Sequence, residues 1–320
     1  MSSFDPDDPA DRDQLYGLPH GQDDARILVL PVPWQGTASF GMGTAHGPQA
    51  VYMASKQVDL HHPLYGDRIW QAGLSMEPTD GRFEAEWTSS DRERSPARIN
   101  PISEAIDAMV ESWVRACLHK EQIPALLGGE HSIAFGGIRA ALVQQPDLGV
   151  LHIDAQGDLR CAYEGFTRSH ASVFYNLLQE APETFRLVQV GLRDLGSKER
   201  DLIKSDARIR SFFDLELARA WATGRAWTEQ VEQILAALPK HVWISFDVDG
   251  LEPQLCPGTG TPVPGGLSWN QATLLLQALG ASGRRIIGFD LCEVGAGAWD
   301  GNVGARLLYE LAGATLTSHD

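Results

Sequence analysis

Short, uninterrupted apolar runs recur along the chain at 26–32, 123–127, 148–153, 185–192, 210–213, 241–246 and 285–289. Rich in Val, Ile, Leu and Phe, they read as strands buried on both faces. Between them, apolar positions return at helical spacing in 101–120, 132–144, 171–179, 228–238, 268–279 and 304–314. Ser103 ahead of Glu104 reads as a helix start, and Ser268 with Gln271 three residues on reads as a capping box. Strand alternating with helix predicts an α/β fold whose central, mostly parallel sheet is covered by helices on both faces.

Two stretches fall outside this rhythm. Residues 1–25 are acidic and lack the basic start and apolar middle of a secretory signal, so they read as a solvated, partly disordered tail. Residues 78–98, rich in Glu, Arg and Ser, read as a polar surface insertion within one domain spanning 26–320.

Composition narrows the function classes. Hydrophobic residues make up 43% of the 320, enough for a sizeable core, and no apolar run approaches the length of a membrane span. A net charge of −16 argues against a nucleic-acid partner and favours cations, whether metal ions or amine substrates. Cys117, Cys161, Cys256 and Cys292 form no C-x-x-C pair, so neither a zinc ribbon nor a disulfide framework is expected, and a reducing cytoplasm fits.

The polar clusters stand just beyond predicted strand ends, where parallel sheets place their ligand crevices. Glu130 and His131 follow the 123 strand, Asp154 to Asp158 the 148 strand, Asp247 and Asp249 the 241 strand, and Asp290 with Glu293 the 285 strand. Ionised carboxylates at the ends of buried strands need a partner charge. One imidazole with at least four carboxylates suits manganese or magnesium, and two such ions sharing carboxylates suit hydrolysis. His152, near Asp154 in the strand, is expected to pack, with a hydrogen bond to Asp154 as the alternative. The glycines of 257–266 do not resemble a phosphate cradle, so no nucleotide is expected.

The ordered motifs Gly128-Gly-Glu-His-Ser132, Asp154-Ala-Gln-Gly-Asp158, Ser245-Phe-Asp-Val-Asp249 and Pro257-Gly-Thr-Gly-Thr-Pro262 resemble the signatures of the ureohydrolase family, the arginases and agmatinases. The likeness extends from Gly41-Met-Gly-Thr-Ala-His-Gly-Pro48 to Gly288-Phe-Asp-Leu-Cys-Glu293 and covers nearly all of the chain. It implies an arginase-like three-layer α/β/α sandwich and a pair of Mn2+ ions whose hydroxide cleaves a guanidino C–N bond. His131, Asp154, Asp158 and Asp247 match ligands of the first ion, and Asp154, Asp247 and Asp249 ligands of the second. Glu293 matches the carboxylate that orients the guanidinium, and His170 a histidine that shuttles protons, with Asp158 beside them in the catalytic set. The surroundings of Asp158 and His170 are more similar to agmatinases than to arginases. Agmatine, hydrolysed to putrescine and urea in polyamine metabolism, is therefore the leading substrate, with Tyr163, Glu164 and Arg168 expected along the pocket. The family also implies a homo-oligomer, trimer or hexamer.

One departure touches the metal site itself. Gln156 stands where the motif carries a histidine ligand of the second ion. A neutral amide oxygen is a weaker donor than imidazole nitrogen for manganese or later transition metals, so the second ion is expected to bind less tightly. Three consequences stay open: a weakened pair with the Gln156 oxygen as ligand, a site with one ion, or a noncatalytic metal-binding homologue. A different guanidino or amidine substrate would also fit.

Overall fold

A computed structural model describes residues 4–80 and 94–320. The apolar runs form strands β1 (Ile27–Val32), β3 (Ile123–Gly128), β4 (Leu148–Ile153), β5 (Arg186–Leu192), β6 (Ile209–Phe213), β7 (His241–Asp247) and β8 (Arg285–Cys292). A three-residue edge strand, β2 (Leu74–Met76), is too short for any periodicity to reveal. All eight lie in one sheet of order β2-β1-β3-β8-β7-β4-β5-β6, every pairing parallel.

Period-two alternation splits each central strand between two cores. In β4, Leu151 and Ile153 face one core with Leu275, Leu276, Leu307 and Leu311, while Leu148 and Val150 face the other with Val110, Phe135, Ile138 and Phe174. The helices Trp269–Gly280 and Ala298–Thr317 cover the first side, and Pro96–His119, Ala134–Gln144 and Val173–Glu180 the second. The expected three-layer α/β/α sandwich is therefore observed.

Four helices were not legible: Gly47–Ser55, Arg68–Ala72, Ser197–Ser205 and Asp214–Ala222. Ser197–Ser205 buries only Glu199, so it carries no apolar stripe to read. The capping box at Ser268 is present, with Ser268 Oγ accepting from the Gln271 N–H and Gln271 Oε1 from the Ser268 N–H. Ser103 is not a cap. Its helix starts at Pro96 and runs through Pro101, so Ser103 is buried in the helix interior.

Part of the amino-terminal stretch is packed on the domain. Leu15, Tyr16 and Leu18 are buried, and Tyr16 is tied on both sides: its N–H donates to Ser55 Oγ and its hydroxyl to the Ala305 carbonyl at 2.6 Å. Three large side chains packed on distant helices anchor this stretch, although too few adjoin to make a run. Of the polar stretch 78–98, residues 81–93 lie outside the described residues, and Pro96–Arg98 belongs to the helix Pro96–His119. Among the described residues, no helix is long and apolar enough to cross a membrane, and all four cysteines are free.

One buried carboxyl makes the helical layer pH-sensitive. Asp107 sits where Pro96–His119 packs on Ala134–Gln144, and burial raises its pKa to about 8 although Arg168 and Arg139 pull it down. A carboxyl protonated in the fold but ionised in the unfolded chain stabilises fully below pH ~4, and that contribution is lost as pH rises towards 8. Asp107→Asn should therefore gain stability relative to wild type by more than about 1 kcal/mol between pH 5 and pH 8, since each pKa unit is worth about 1.4 kcal/mol. Denaturation midpoints at the two pH values measure this, and a constant difference would contradict it.

Candidate metal centre

Sheet register brings the separate motifs together. Neighbouring strands β4, β7 and β8 align His152 with Ser245 and Ser245 with Asp290, so their carboxyl ends finish at one level. β3 pairs with β8 and delivers His131 from the turn beyond its end. Asp154, Asp158, Asp247, Asp249, His131 and Glu293 are all buried there. Asp158 and Glu293 hold left-handed backbone angles, φ 52° and 63°, a conformation that costs a non-glycine residue energy and that clusters at functional sites.

His131 shows what the cluster requires. Its Nε2 lies 2.8 Å from Ser245 Oγ, and Ser245 donates its own proton to Asp290 Oδ1, whose partner oxygen accepts from Trp243 Nε1. Ser245 can then only accept from His131, so Nε2 carries the ring proton. The Nδ1 lone pair is left facing Asp154 Oδ2 and Asp158 Oδ2 at 3.1 Å and Asp247 Oδ2 at 3.4 Å. A lone pair against three carboxylate oxygens is repulsive unless a proton or a cation stands between them. Burial opposes a charged imidazole, yet hydrogen bonds to these carboxylates raise its pKa well above the ordinary value. The donor set, one imidazole nitrogen and several carboxylates, fits a divalent cation of the manganese type.

The same crowding acts on the carboxylates. Burial, then the Asp154 charge, raises Asp158 well above the usual range and lifts Asp247 to about 6. Burial and the Asp247 charge likewise raise Asp249. Asp154, Asp247 and Asp249 form a second group of oxygens close enough to hold an ion, sharing Asp154 with the group around His131. Gln156 lies at this second group, with one terminal carboxamide atom 3.0 Å from Asp154 Oδ1 and 2.9 Å from Asp249 Oδ2.

His152 both packs and bonds. It stacks near Phe174, its Nδ1 accepts from Gln189 Nε2, and its Nε2 donates to Asp154 Oδ2 at 2.8 Å. Asp290, expected beyond its strand, instead lies inside β8, where it anchors Ser245 and Trp243.

His170 borders the cluster on a pocket of about 100 Å³, together with Tyr163, Asp158, Gln156, Asp247 and Glu293. Its orientation is set by Thr37. The Thr37 hydroxyl donates to Glu130 Oε1 at 2.7 Å, so it must accept from His170 Nδ1 at 3.1 Å and from the His170 N–H. The lone-pair nitrogen is thereby Nε2, and burial holds the pKa down at about 4, so the ring is neutral near pH 7.

The other pocket expectations divide. Tyr163 lines the cavity, edge-on to His170. Arg168 does not: its guanidinium lies over the Phe135 ring, 3.8 Å from Asp107 Oδ2, held at the helical layer by an aromatic face and a buried carboxyl. Glu164 is exposed in the turn between Tyr163 and Phe166, outside the cavity lining. Sequence reasoning missed Thr37, Ser39, Arg160, Asp194 and Thr261 in loops and Glu199 in the helix Ser197–Ser205, residues whose approach only folding creates. Among these, Glu199 is occupied, accepting from the Leu159 and Gly196 N–H groups.

A parallel sheet with a buried carboxylate cluster at its carboxyl edge that could hold a cation defines the class as an α/β protein with a candidate metal centre. Residues 25–314 match the arginase family, and the chain belongs to it. It is 34% identical over 274 residues to an N(1)-aminopropylagmatine ureohydrolase of Thermus thermophilus, covering 85% of this chain and 83% of that one. A guanidinobutyrase of Pseudomonas aeruginosa is 29% identical, with 93% and 90% covered. The agmatine ureohydrolase of Thermoplasma volcanium shares the fold, with a TM-score of 0.77 at 22% identity over 96% of this chain and 95% of that one.

The Thr37 arrangement predicts the tautomer of His170. Nitrogen-15 NMR of the imidazole at pH 7 should show Nδ1 protonated in wild type and in Thr37→Ser, and a shift towards the Nε2–H form in Thr37→Val. An unchanged tautomer in the valine variant would show that Thr37 does not set it.

Proposed function

We propose that this protein is a metal-dependent hydrolase of the guanidino C–N bond in a linear guanidinoalkyl amine, agmatine or an N-substituted agmatine, releasing urea and the amine. The observation carrying this reading is the convergence of His131, Asp154, Asp158, Asp247 and Asp249 beside a pocket that also presents His170 and Glu293. Membership of the arginase family supports the reaction class, and the similarity to aminopropylagmatine ureohydrolases supports the amine tail. Asp194, on the pocket lining, offers a carboxylate of the right charge for such a tail.

His131, Asp154, Asp158 and Asp247 would hold a first Mn2+, and Asp154, Gln156, Asp247 and Asp249 a second. When bound, the ions make water acidic enough to furnish a nucleophile near neutral pH. The protein's own groups do the rest. Glu293 binds the guanidinium: Oε1 accepts from the His131 N–H at 2.9 Å, leaving Oε2 for a charge-assisted hydrogen bond to a substrate N–H. A β-carbon at position 260 would stand 2.9 Å from Glu293 Oε2, so Gly260 leaves that oxygen room. His170, neutral with its lone pair on Nε2, can take a proton at that atom and return it to the leaving amine nitrogen, while Thr37 stays on Nδ1 throughout. Tyr163, edge-on to the imidazole, limits its rotation.

Urea release should be assayed on Mn2+-loaded protein with agmatine, N1-aminopropylagmatine and 4-guanidinobutyrate. The amine-tailed substrates should exceed the carboxylate by roughly 3-fold or more in kcat/KM, the scale expected when an exposed carboxylate such as Asp194 pairs with an ammonium and opposes a second carboxylate. Asp247→Ala should abolish turnover and metal pairing. Urea from none of the three, or full activity in Asp247→Ala, would overturn the proposal.

A further inference from the structure

Gln156 changes the chemistry of the second cation position, and its surroundings define how. The side-chain Nε2 points at the Thr261 carbonyl, 3.4 Å away, while the other terminal atom, Oε1, faces Asp154 Oδ1 and Asp249 Oδ2. Rotating the amide by half a turn would let nitrogen donate to both carboxylates but would set Oε1 against the Thr261 carbonyl. The half-turned amide satisfies both carboxylates and gives up only the long contact to Thr261, whereas the orientation with Oε1 towards the carboxylates is the one that a cation between those oxygens would hold. The spacing agrees: the carboxamide atom is 3.0 and 2.9 Å from the two carboxylate oxygens, and neighbouring oxygens of an octahedral shell with bonds near 2.1 Å lie about 3.0 Å apart.

Charge favours the same orientation. Asp154, Asp158, Asp247 and Asp249 are each less than 5% exposed. One divalent ion would leave two of their four charges uncompensated in the interior, where unpaired charge is costly. Replacing imidazole by a carboxamide leaves that demand unchanged, because both are neutral. What changes is the donor atom. Thr261 holds the arrangement from both ends, its carbonyl towards Gln156 Nε2 and its hydroxyl donating to Asp249 Oδ2 at 3.2 Å.

We propose that the second position is an all-oxygen site, built from Asp154, Asp247, Asp249 and Gln156 Oε1, which selects hard cations such as Mg2+ or Mn2+ over Zn2+, while the position at His131 keeps its nitrogen donor. The two positions then differ in selectivity, and a mixed pair is the natural state in a solution rich in Mg2+. The proposal rests on the hydrolase reading only in taking two cation positions from the family.

The test is metal content rather than turnover. Full-length wild type, Gln156→His and Gln156→Glu are equilibrated with chelator-buffered Zn2+ against millimolar Mg2+, and both metals are counted per chain, with melting curves confirming the fold. Wild type should retain one Zn2+ and one Mg2+. The Zn2+ concentration that displaces Mg2+ should fall by roughly 10-fold or more in Gln156→His, the scale on which metal sites respond to changes around their ligands. Gln156→Glu, still all oxygen, should keep Mg2+ at least as well as wild type. Two Zn2+ in wild type despite the Mg2+, or equal displacement in all three proteins, would overturn the proposal. So would a single ion in wild type in every mixture, which would mean that the amide nitrogen has replaced the second cation. Urea assays on the same samples separate the failures: the predicted metal pattern without urea sinks the hydrolase reading alone, and urea without the pattern sinks the selectivity alone.

Discussion

The site depends on one electrostatic constraint: four aspartates and an imidazole lone pair are brought to one buried point, with no lysine or arginine paired to them among the described residues. Such a cluster is unstable without cations or protons. Much of the surrounding structure reads as its support. Trp243 and Ser245 on β7 and Asp290 on β8 fix the protonated nitrogen of His131, and Gln189 on β5 fixes that of His152. Both histidines are thus oriented from inside the sheet, which a parallel arrangement permits because neighbouring strands end together.

The His170 side of the pocket has a separate origin. Glu130 precedes His131 but faces the other way, holding Thr37, which in turn holds His170. The turn after β3 therefore serves both halves of the chemistry through adjacent residues. Strained backbone at Asp158 and Glu293 belongs to the same economy, since each aims a carboxylate that an extended strand would direct elsewhere.

Gln156 separates what the family has in common from what is particular to this chain. Under the proposed reading it would keep the charge of the cluster while offering oxygen in place of nitrogen, and its effect would fall on which ion binds. The pocket beyond it carries Tyr163, Arg160 and Asp194 on its lining.

The alternation of buried strands and amphipathic helices determined the three-layer architecture, because burial on both faces of a parallel sheet writes itself as apolar runs that local pattern can display. The convergence of the polar clusters was legible too, since motifs at strand ends resemble a known family in order and spacing. Helices such as Ser197–Ser205, the anchored Leu15–Leu18, and the partners Thr37, Thr261 and Glu199 were not, because each depends on contacts between residues far apart in the chain. Arg168 shows the limit most plainly: its place in a promising motif said nothing of direction, and only tertiary packing turned it from the pocket to Phe135 and Asp107. Local sequence carries the period of burial and the kind of chemistry, whereas the aim of a side chain is decided by whichever distant groups meet it in the fold.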